Sequence, residues 1–293
     1  MNIYENVTKR ILNQLAAGQI PWRKTWQTGL PKSLTTGKDY RGLNILVLAS
    51  TEYTSRYWVT YLQAQHLGGH VRKGEHSTPV VYWKWRTATE LENRRKETGK
   101  ENPAPCIPFA SAVFNLDQVE GIDRPKDDVL NPTNRRLEIA EQMLDVMPNK
   151  PLLVHTLTTQ PAYSPSADCI TLPHLSQFES ADEYYSTLFH ELVHSTGAPK
   201  RLNRFGETEG NRAERYSFEE LVAEFGAAFL CGFAGIQNVG TDALQASYIE
   251  GWARIFSQDC RILARAASAA QRAADYIRGK LPEADDQTIA AVA

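Results

Sequence analysis

The chain has 293 residues, of which 42% are hydrophobic and 23% charged, a composition typical of a globular protein with room for two domains. No run of about 18 apolar residues is present and the first residues lack the layout of a secretory signal, so we expect a cytoplasmic protein with no membrane partner. The four scattered cysteines form no C-x-x-C pair, which favours reduced thiols over a disulfide framework or a cysteine-ligated zinc.

The net charge of -2 hides an uneven distribution of charge along the chain. Residues 1–100 contain 16 Lys and Arg against 7 Asp and Glu, whereas residues 101–293 contain 16 against 27. A basic first part joined to an acidic second part predicts that a polyanion such as nucleic acid binds the first part and not the second.

The first part has the periodicities of a mixed helical and stranded domain. Apolar residues at helical spacing predict helices at residues 2–17, 43–50 and 60–67. Alternating aromatic and β-branched residues predict a strand within residues 71–86, and strand-like residues return at 112–119. Between these strands, residues 87–108 are rich in Glu, Arg, Lys and Pro, so we predict a solvated, flexible arm there.

A polar connector at residues 121–132 predicts a boundary between an N-terminal domain of residues 1–125 and a second domain of residues 126–293. Short strands followed by helices give the second domain, and the chain as a whole, an α+β fold. The strands are predicted at 152–156 and 169–172, and the helices at 133–147, 180–196, 217–233, 243–266 and 267–280. Residues 169–172 suit either an edge strand that receives an extended peptide or a plain core strand.

His190, Glu191 and His194 form the motif H-E-x-x-H on a predicted helix. Two histidines four residues apart share one helical face and can reach a single Zn²⁺ ion. Three protein ligands leave one position for water, whose pKa then falls towards about 7, and Glu191 can take its proton as a general base. The motif therefore predicts a metallopeptidase-type site with Glu191 as the catalytic residue. Mn²⁺ and Co²⁺ also suit these ligands.

The third ligand must come from elsewhere, because Lys200 stands where one class of zincins has a third histidine. Residues 219–224 provide acids in an apolar helical stretch, and we predict Glu220 as the third ligand. Glu224, one turn further, is predicted to accept a hydrogen bond from the other ring N–H of a ligand histidine and so to fix its tautomer. The reverse assignment, with Glu224 as the third ligand, stays open. Ser217 and Glu220 also fit a capping box, in which Glu220 would cap the helix and leave Glu224 as the ligand.

Aromatic residues in the first part are almost all of the polar kind. Five of the six tryptophans and six of the twelve tyrosines fall within residues 1–85, which contain no phenylalanine. Such rings beside Lys and Arg are typical of stacking platforms flanked by phosphate contacts, which suits single-stranded DNA, with double-stranded DNA as a further candidate partner. The alternative is that about half of these rings are core residues. The predicted DNA contacts are Trp22, Arg23, Lys24, Trp26, Lys38, Tyr40, Arg41, Asn44, Arg72, Lys73, Trp83, Lys84 and Trp85.

Seven segments carry a resemblance to a known family: PW at 21–22, TGKDYRGLN at 36–44, GGHVRKGE at 68–75, VFNLDQV at 113–119, HELVHSTG at 190–197, RL at 201–202 and EELVAEFGAA at 219–228. In these segments the chain resembles the antirestriction proteins of the ArdC type, and its first part is also similar to a domain that precedes some plasmid primases. The resemblance implies single-stranded DNA binding, a zincin fold and protection of incoming conjugative plasmid DNA from host restriction.

Two functions are compatible with these features. The first is a DNA-tethered zinc metallopeptidase that acts on a protein such as a restriction enzyme. The second is a protein that shields single strands, with a metal site that is structural or proteolytically silent. A metal-dependent nuclease is disfavoured, because two histidines and one carboxylate suit acyl hydrolysis better than two-metal phosphodiester chemistry.

Overall fold

The computed structural model describes residues 3–23, 29–99, 101, 106–125, 133–157, 160–207, 212–238 and 245–280. These residues form a mixed arrangement of helices and short sheets, which confirms the predicted α+β class. Within these ranges, no helix combines the length and the apolar composition needed to cross a bilayer.

The first part of the chain forms a four-stranded sheet flanked by short helices. The strands of this part of the chain are β1 (Lys32–Ser33), β2 (Tyr57–Val59), β3 (His70–Val71), β4 (Thr78–Trp85), β5 (Cys106–Asn115) and β6 (Val119–Glu120). The helices of this part are α1 (Ile3–Ala16), α2 (Leu43–Ala49), α3 (Tyr61–His66) and α4 (Ala88–Thr98). The sheet has the order β1-β2-β5-β4, and β3 pairs with β6 in a separate ladder. The helices predicted at residues 2–17, 43–50 and 60–67 are confirmed as α1, α2 and α3.

Within the segment predicted as a flexible arm, residues 87–108, residues 88–98 form helix α4 instead of a loop and residues 106–108 begin β5, while residues 100 and 102–105 lie outside the described residues. Thr87 and Glu90 cap its start reciprocally, with Thr87 N donating to Glu90 Oε2 at 2.7 Å and Glu90 N donating to Thr87 Oγ1 at 3.3 Å. Gly99 ends the helix in the left-handed region, at a φ of 67°. No residue of α4 is buried, so the solvated character of this segment was predicted correctly and its helicity was missed.

The second part contains a three-stranded sheet and a bundle of helices. Its elements are α5 (Thr133–Val146), β7 (Leu152–His155), β8 (Ala162–Ser164), β9 (Cys169–Leu172), α6 (Ala181–Thr196), α7 (Arg204–Glu207), α8 (Arg212–Ala234), α9 (Gln245–Gln258) and α10 (Ile262–Ile277). The strand order β7-β9-β8 makes β9 the central strand, so the core-strand alternative for residues 169–172 is the correct one. The two edge strands are β7 and β8, and β8, which runs antiparallel to β9, was not predicted.

Two helix boundaries differ from the prediction in ways that affect the site. Helix α8 begins at Arg212, so Ser217 lies inside the helix and is not its N-cap. The capping-box interpretation of Ser217 and Glu220 is therefore wrong. The break between α9 and α10 falls at residues 259–261, where the side chain of Asp259 accepts a hydrogen bond from Arg261 N at 2.8 Å.

The largest hydrophobic cluster is shared by the two parts of the chain. Apolar side chains of α1 and α2 pack in one cluster with those of α5, α6, α8, α9 and α10, and Trp22 belongs to the same cluster. Two smaller clusters lie around the four-stranded sheet, one centred on Trp58 and the other on Val59. The first 49 residues thus contribute to the core on which α6 and α8 rest, and the boundary near residue 125 stays a prediction.

Arg201 ties the end of α6 to the β8–β9 hairpin. Its fully buried guanidinium donates to both carboxylate oxygens of Asp168, at 2.7 and 3.0 Å, and to the carbonyl oxygen of Ser195 at 3.0 Å. Asp168 lies in the turn between β8 and β9, and Ser195 lies in the last turn of α6. The hydrogen bonds from Arg201, and then the one from Lys200, hold the pKa of Asp168 well below its usual range.

We expect Arg201→Ala to lower the free energy of unfolding at pH 7 by about 3 kcal/mol, because the change leaves the Asp168 carboxylate without its buried donor. Since the pKa of Asp168 is lowered in the folded protein, its contribution is present above the ordinary pKa of about 4 and is lost as the pH falls through the lower folded value. Urea unfolding should therefore show a smaller difference between the variant and the parent protein below about pH 4.

Lys200→Ala is the matched control for this experiment. Lys200 also pairs with Asp168, but its side chain is 54% exposed, so its loss should cost at most about 1 kcal/mol. Equal losses in the two variants would contradict a special role for Arg201.

Candidate metal site

Helix α6 presents both histidines of the H-E-x-x-H motif to helix α8. Ser180 caps the start of α6 by accepting a hydrogen bond from Glu183 N at 3.1 Å, and the helix ends at Gly197. The Nε2 atoms of His190 and His194 lie 3.1 Å apart, with their rings inclined at 79°. The two ring nitrogens that can bind a metal therefore converge on one point between the helices.

Glu220 of α8 lies at the same point. Its Oε2 atom is 3.6 Å from His190 Nε2 and its Oε1 atom is 3.7 Å from His194 Nε2. Ligand atoms at about 2.0–2.1 Å from a tetrahedral Zn²⁺ lie roughly 3.3–3.4 Å from one another, so the observed spacing fits a single small cation. We call His190, His194 and Glu220 the donor cluster. The structure brings these three residues together as the sequence predicted, and their role as ligands stays a prediction.

The other ring nitrogen of each histidine faces a second carboxylate of α8. His190 Nδ1 is 3.9 Å from Glu224 Oε1, and His194 Nδ1 is 3.4 Å from Glu219 Oε1. A carboxylate near Nδ1 keeps the proton there and leaves the Nε2 lone pair for the metal. Glu224 thus occupies the place predicted for an orienting acid. Glu219 was given no role in the sequence analysis, although it directly precedes Glu220 in an apolar helix.

Glu219 is held by a buried arginine that the sequence analysis also missed. Arg204 donates to Glu219 Oε2 from Nε at 2.8 Å and to Oε1 from Nη2 at 2.5 Å, and its side chain is 7% exposed. Burial alone raises the pKa of Glu219, but the hydrogen bonds from Arg204 and His194 and their charges outweigh it, so the pKa is lowered. Arg204 therefore keeps an ionised carboxylate facing His194.

The remaining charges also favour a bound cation. Burial lowers the pKa of His190, but the hydrogen bond to Glu220 and the charges of Glu224, Glu191 and Glu220 outweigh it and raise the pKa to about 9. Burial raises the pKa of Glu220, yet the neighbouring histidines and a hydrogen bond from Tyr216 lower it overall. A site that holds a proton on a histidine this strongly carries an excess of negative charge, which a divalent cation can neutralise in place of the proton.

Trp22 is part of this site and not a stacking platform for DNA. Its ring is 1% exposed and packs edge-on against Phe225 and Trp252, with centroid distances of 4.9 and 5.3 Å. Its Nε1 atom donates to Glu224 Oε2 at 3.3 Å, while the Oε1 atom of the same carboxylate faces His190. The prediction that Trp22 stacks on bases is therefore wrong, because a ring enclosed by the core cannot reach a base.

Glu191 is anchored by the edge strand of the small sheet. The backbone N–H of Tyr163, the middle residue of β8, donates to Glu191 Oε2 at 2.7 Å, and Glu191 is 8% exposed. With one carboxylate oxygen held by this hydrogen bond, the other oxygen can serve as a proton acceptor. The catalytic role of Glu191 stays a prediction.

The other twelve predicted DNA-contacting residues fall into three groups. Lys24 and Trp26, together with the side chains of Arg23 and Trp85, lie outside the described part of the chain. A second group lines one cavity, and its members are Lys38, Tyr40, Arg41, Asn44 and Trp83. The third group is solvent-exposed and consists of Arg72, Lys73 and Lys84.

Asn44, one of the residues that line the cavity, has a structural role. Its Nδ2 atom donates to the carbonyl oxygen of Val81 at 2.8 Å, and its Oδ1 atom accepts from Val81 N at 2.7 Å. The amide thus pairs with the open edge of β4 as a neighbouring strand would. Asn44 therefore has a structural role here, and its predicted contact with DNA stays a prediction.

The geometry defines the class of protein. A helix with two facing histidines, a second helix that supplies acids and an antiparallel edge strand beside the glutamate characterise a zincin-like metalloprotein. Residues 141–269 match the model of the zincin-like metallopeptidase family, and residues 1–114 match the model of the N-terminal domain of anti-restriction factor ArdC. The chain belongs to the family of ArdC antirestriction proteins, as its similarity to the solved structures below shows.

Two solved structures cover almost the whole chain. The crystal structure of antirestriction ArdC protein from R388 plasmid in its Mn(II)-bound form is 33% identical, covers 95% of this chain and 97% of its own, and superposes with a TM-score of 0.75. The metal-free structure of the same protein is 33% identical and gives a TM-score of 0.73 over 100% of this chain and 99% of its own.

Two curated relatives place the chain in a wider group. A DNA primase TraC of Escherichia coli is 35% identical over 94% of this chain, but the match spans only 27% of the primase. The uncharacterized protein y4eC of Sinorhizobium fredii is 32% identical over 97% of this chain and 94% of its own length. The matched region is therefore one part of a longer protein in the first relative and nearly the whole length of the second.

We expect His190→Ala, His194→Ala and Glu220→Ala to lose the metal, and Glu224→Ala to retain it with an affinity lower by about 10- to 100-fold. The reason is that the first three side chains converge on one point, while Glu224 acts through His190. Elemental analysis after dialysis measures the metal content of each variant. Metal retained by Glu220→Ala and lost by Glu224→Ala would reverse the assignment.

We expect Trp22→Phe to weaken metal binding about tenfold, because Glu224 then loses the donor that fixes its second oxygen. A competitive titration against a chromophoric chelator measures the dissociation constant. Trp252→Phe is the control, since it removes a similar area of buried ring from the same cluster without changing the donor to Glu224. Equal metal affinity in both variants would show that Trp22 contributes to the site only by packing and not by its hydrogen bond to Glu224.

Proposed function

We propose that this chain binds single-stranded DNA through its basic first part and protects incoming conjugative plasmid DNA from host restriction in the cytoplasm. We further propose that its second part holds Zn²⁺ in a metallopeptidase-type site and acts on a protein substrate such as a restriction enzyme. The observation that carries the second proposal is the convergence of His190, His194 and Glu220 beside the anchored carboxylate of Glu191. The family to which the chain belongs supports the first.

The donor cluster would hold the metal through two imidazole nitrogens and one carboxylate. When bound, Zn²⁺ supplies a Lewis acid that polarises a carbonyl group and makes water more acidic. Glu191 would accept a proton from a water molecule at the site, and the N–H of Tyr163 holds its carboxylate in place. Mn²⁺ suits the same donors, which is consistent with the Mn(II)-bound form of the R388 relative.

DNA binding is supported by charge and exposure in the first part of the chain. Lys38, Lys73 and Lys84 are exposed, and the net charge of residues 1–100 is positive. Cations on such a surface gain affinity for a strand by releasing its counterions, so binding should weaken as salt increases.

The alternative function is that of a protein that shields single strands and has a proteolytically silent metal site. One observation favours it: Glu191 is 8% exposed and one of its oxygens is already bonded to the edge strand. A peptide substrate would need access to a carboxylate that the core partly encloses. The two functions differ in whether protection of plasmid DNA requires the proton-accepting group of Glu191.

We expect Glu191→Gln to abolish protection of plasmid DNA in conjugation into a restricting host, because the amide cannot accept a proton. Peptide-bond hydrolysis should fall by about 10²- to 10⁴-fold. Metal content and affinity for single-stranded DNA should stay at the parental level, since the ligands and the basic part are unchanged. Full protection by Glu191→Gln would refute the peptidase proposal and support the shielding function.

A further inference from the structure

A cavity of about 480 Å³ lies where the first part of the chain meets helix α10. Its walls come from residues within 33–44, from α3 and β4, and from four residues of α10, which are Ala264, Ser268, Gln271 and Arg272. Cavities of roughly 300–1,000 Å³ accommodate small-molecule ligands, so this one has room for a single group of the size of one nucleotide.

Aromatic side chains form one part of the lining. Tyr40, Tyr82 and Trp83 all border the cavity, and Tyr82 remains 39% exposed although it packs against Phe109 at 5.8 Å. Tyr40 is 7% exposed and belongs to the core cluster around Trp58, so Tyr82 and Trp83 are the rings that can offer a π-face to a planar base. Such stacking does not depend on the identity of the base.

Positive charge dominates the polar part of the lining. Lys38, Arg41 and Arg272 border the cavity together with a single acid, Asp39. The charge of Asp39 is offset by Arg56 at 3.3 Å and Lys32 at 3.8 Å. Arg41 is paired in turn with Asp275 at 2.7 Å, so Lys38 and Arg272 are the cations through which the lining can donate hydrogen bonds to an anionic ligand such as a phosphate group.

Helix α10 holds the loop that carries these residues. Gly42 N donates to Gln271 Oε1 at 3.0 Å, and Arg41 Nη2 donates to Asp275 Oδ2 at 2.7 Å. Gly42 has a φ of 52°, a conformation that side-chain-bearing residues rarely adopt, so the loop turns sharply where it meets the helix. The shape of the cavity thus depends on a helix from the part of the chain that carries the metal site.

We propose that this cavity is a nucleotide-binding site that takes one unstacked nucleotide of a DNA strand, with the base against the aromatic residues and the phosphate near Lys38 and Arg272. The inference rests on the single-strand binding proposed above and adds that α10 supplies part of the DNA contact. Asn44, whose amide is engaged by Val81, keeps the β4 wall in position.

The test compares Arg272→Gln and Lys38→Gln with Arg265→Gln. Arg265 is an exposed residue of the same helix that pairs with Asp259 and does not line the cavity, so it controls for the loss of one positive charge. Fluorescence anisotropy with an oligo(dT) strand at several NaCl concentrations gives the affinity and its salt dependence. Each cavity variant should lose about 5- to 20-fold in affinity, and the slope of log K against log salt should fall by about 0.7 to 1.

The outcomes separate this inference from the proposed function. Equal affinity in the parent protein and all three variants would overturn the cavity site and leave single-strand binding intact. If the parent protein fails to bind oligo(dT), single-strand binding itself is wrong. Calorimetry with dTMP distinguishes the source of the nucleotide: dTMP binding that is lost in both cavity variants, with unchanged oligo(dT) affinity, would assign the cavity to a free nucleotide and overturn the strand contact.

Discussion

The close approach of helices α6 and α8 determines whether two histidines and a glutamate can share one cation. A Cβ atom on Gly226 would lie 2.6 Å from Cγ2 of Val193, so the helices reach their present separation only because residue 226 has no side chain. Val193 directly precedes His194, and Gly226 follows the acids of α8. The distances of 3.6 and 3.7 Å from Glu220 to the two Nε2 atoms therefore depend on a packing contact on the buried side of the same helices.

Acids at this interface are compatible with an apolar core because each has a donor. Removing a carboxylate from water costs several kcal/mol unless hydrogen bonds or charges compensate for it. Glu219 is compensated by Arg204, Glu224 by the indole of Trp22, and Glu191 by the backbone of β8. These donors come from separate elements of the chain. The orientation of the histidines is consequently a property of the assembled core and not of the H-E-x-x-H helix alone.

Sequence patterns predicted the parts of the site that follow from helical periodicity. The spacing of His190 and His194, and the presence of acids in the next apolar helix, could be read directly. The hydrogen-bond donor of each acid could not be predicted, because it depends on tertiary packing. Trp22, for example, lies in a single turn, Pro21–Arg23, which is too short to show a periodic pattern of burial. Strands of two or three residues, such as β8, are too short to show alternation. Helix α4 was missed because it has no buried face to produce an apolar stripe.

The shared core also limits how the proposed DNA-binding and metal-binding functions of the two parts can be studied separately. Val7, Ile11 and Leu15 of α1 pack in the same hydrophobic cluster as α8 and α10, so a cut near residue 125 would expose both surfaces to water. Burying such side chains contributes about 1.5–3 kcal/mol each, and their exposure would destabilise both fragments whatever their function. Loss of metal binding or of DNA binding on truncation would therefore be uninformative. Substitutions that leave this cluster intact, such as those at Glu191 and Arg272, separate the two activities because they change chemistry without changing the core.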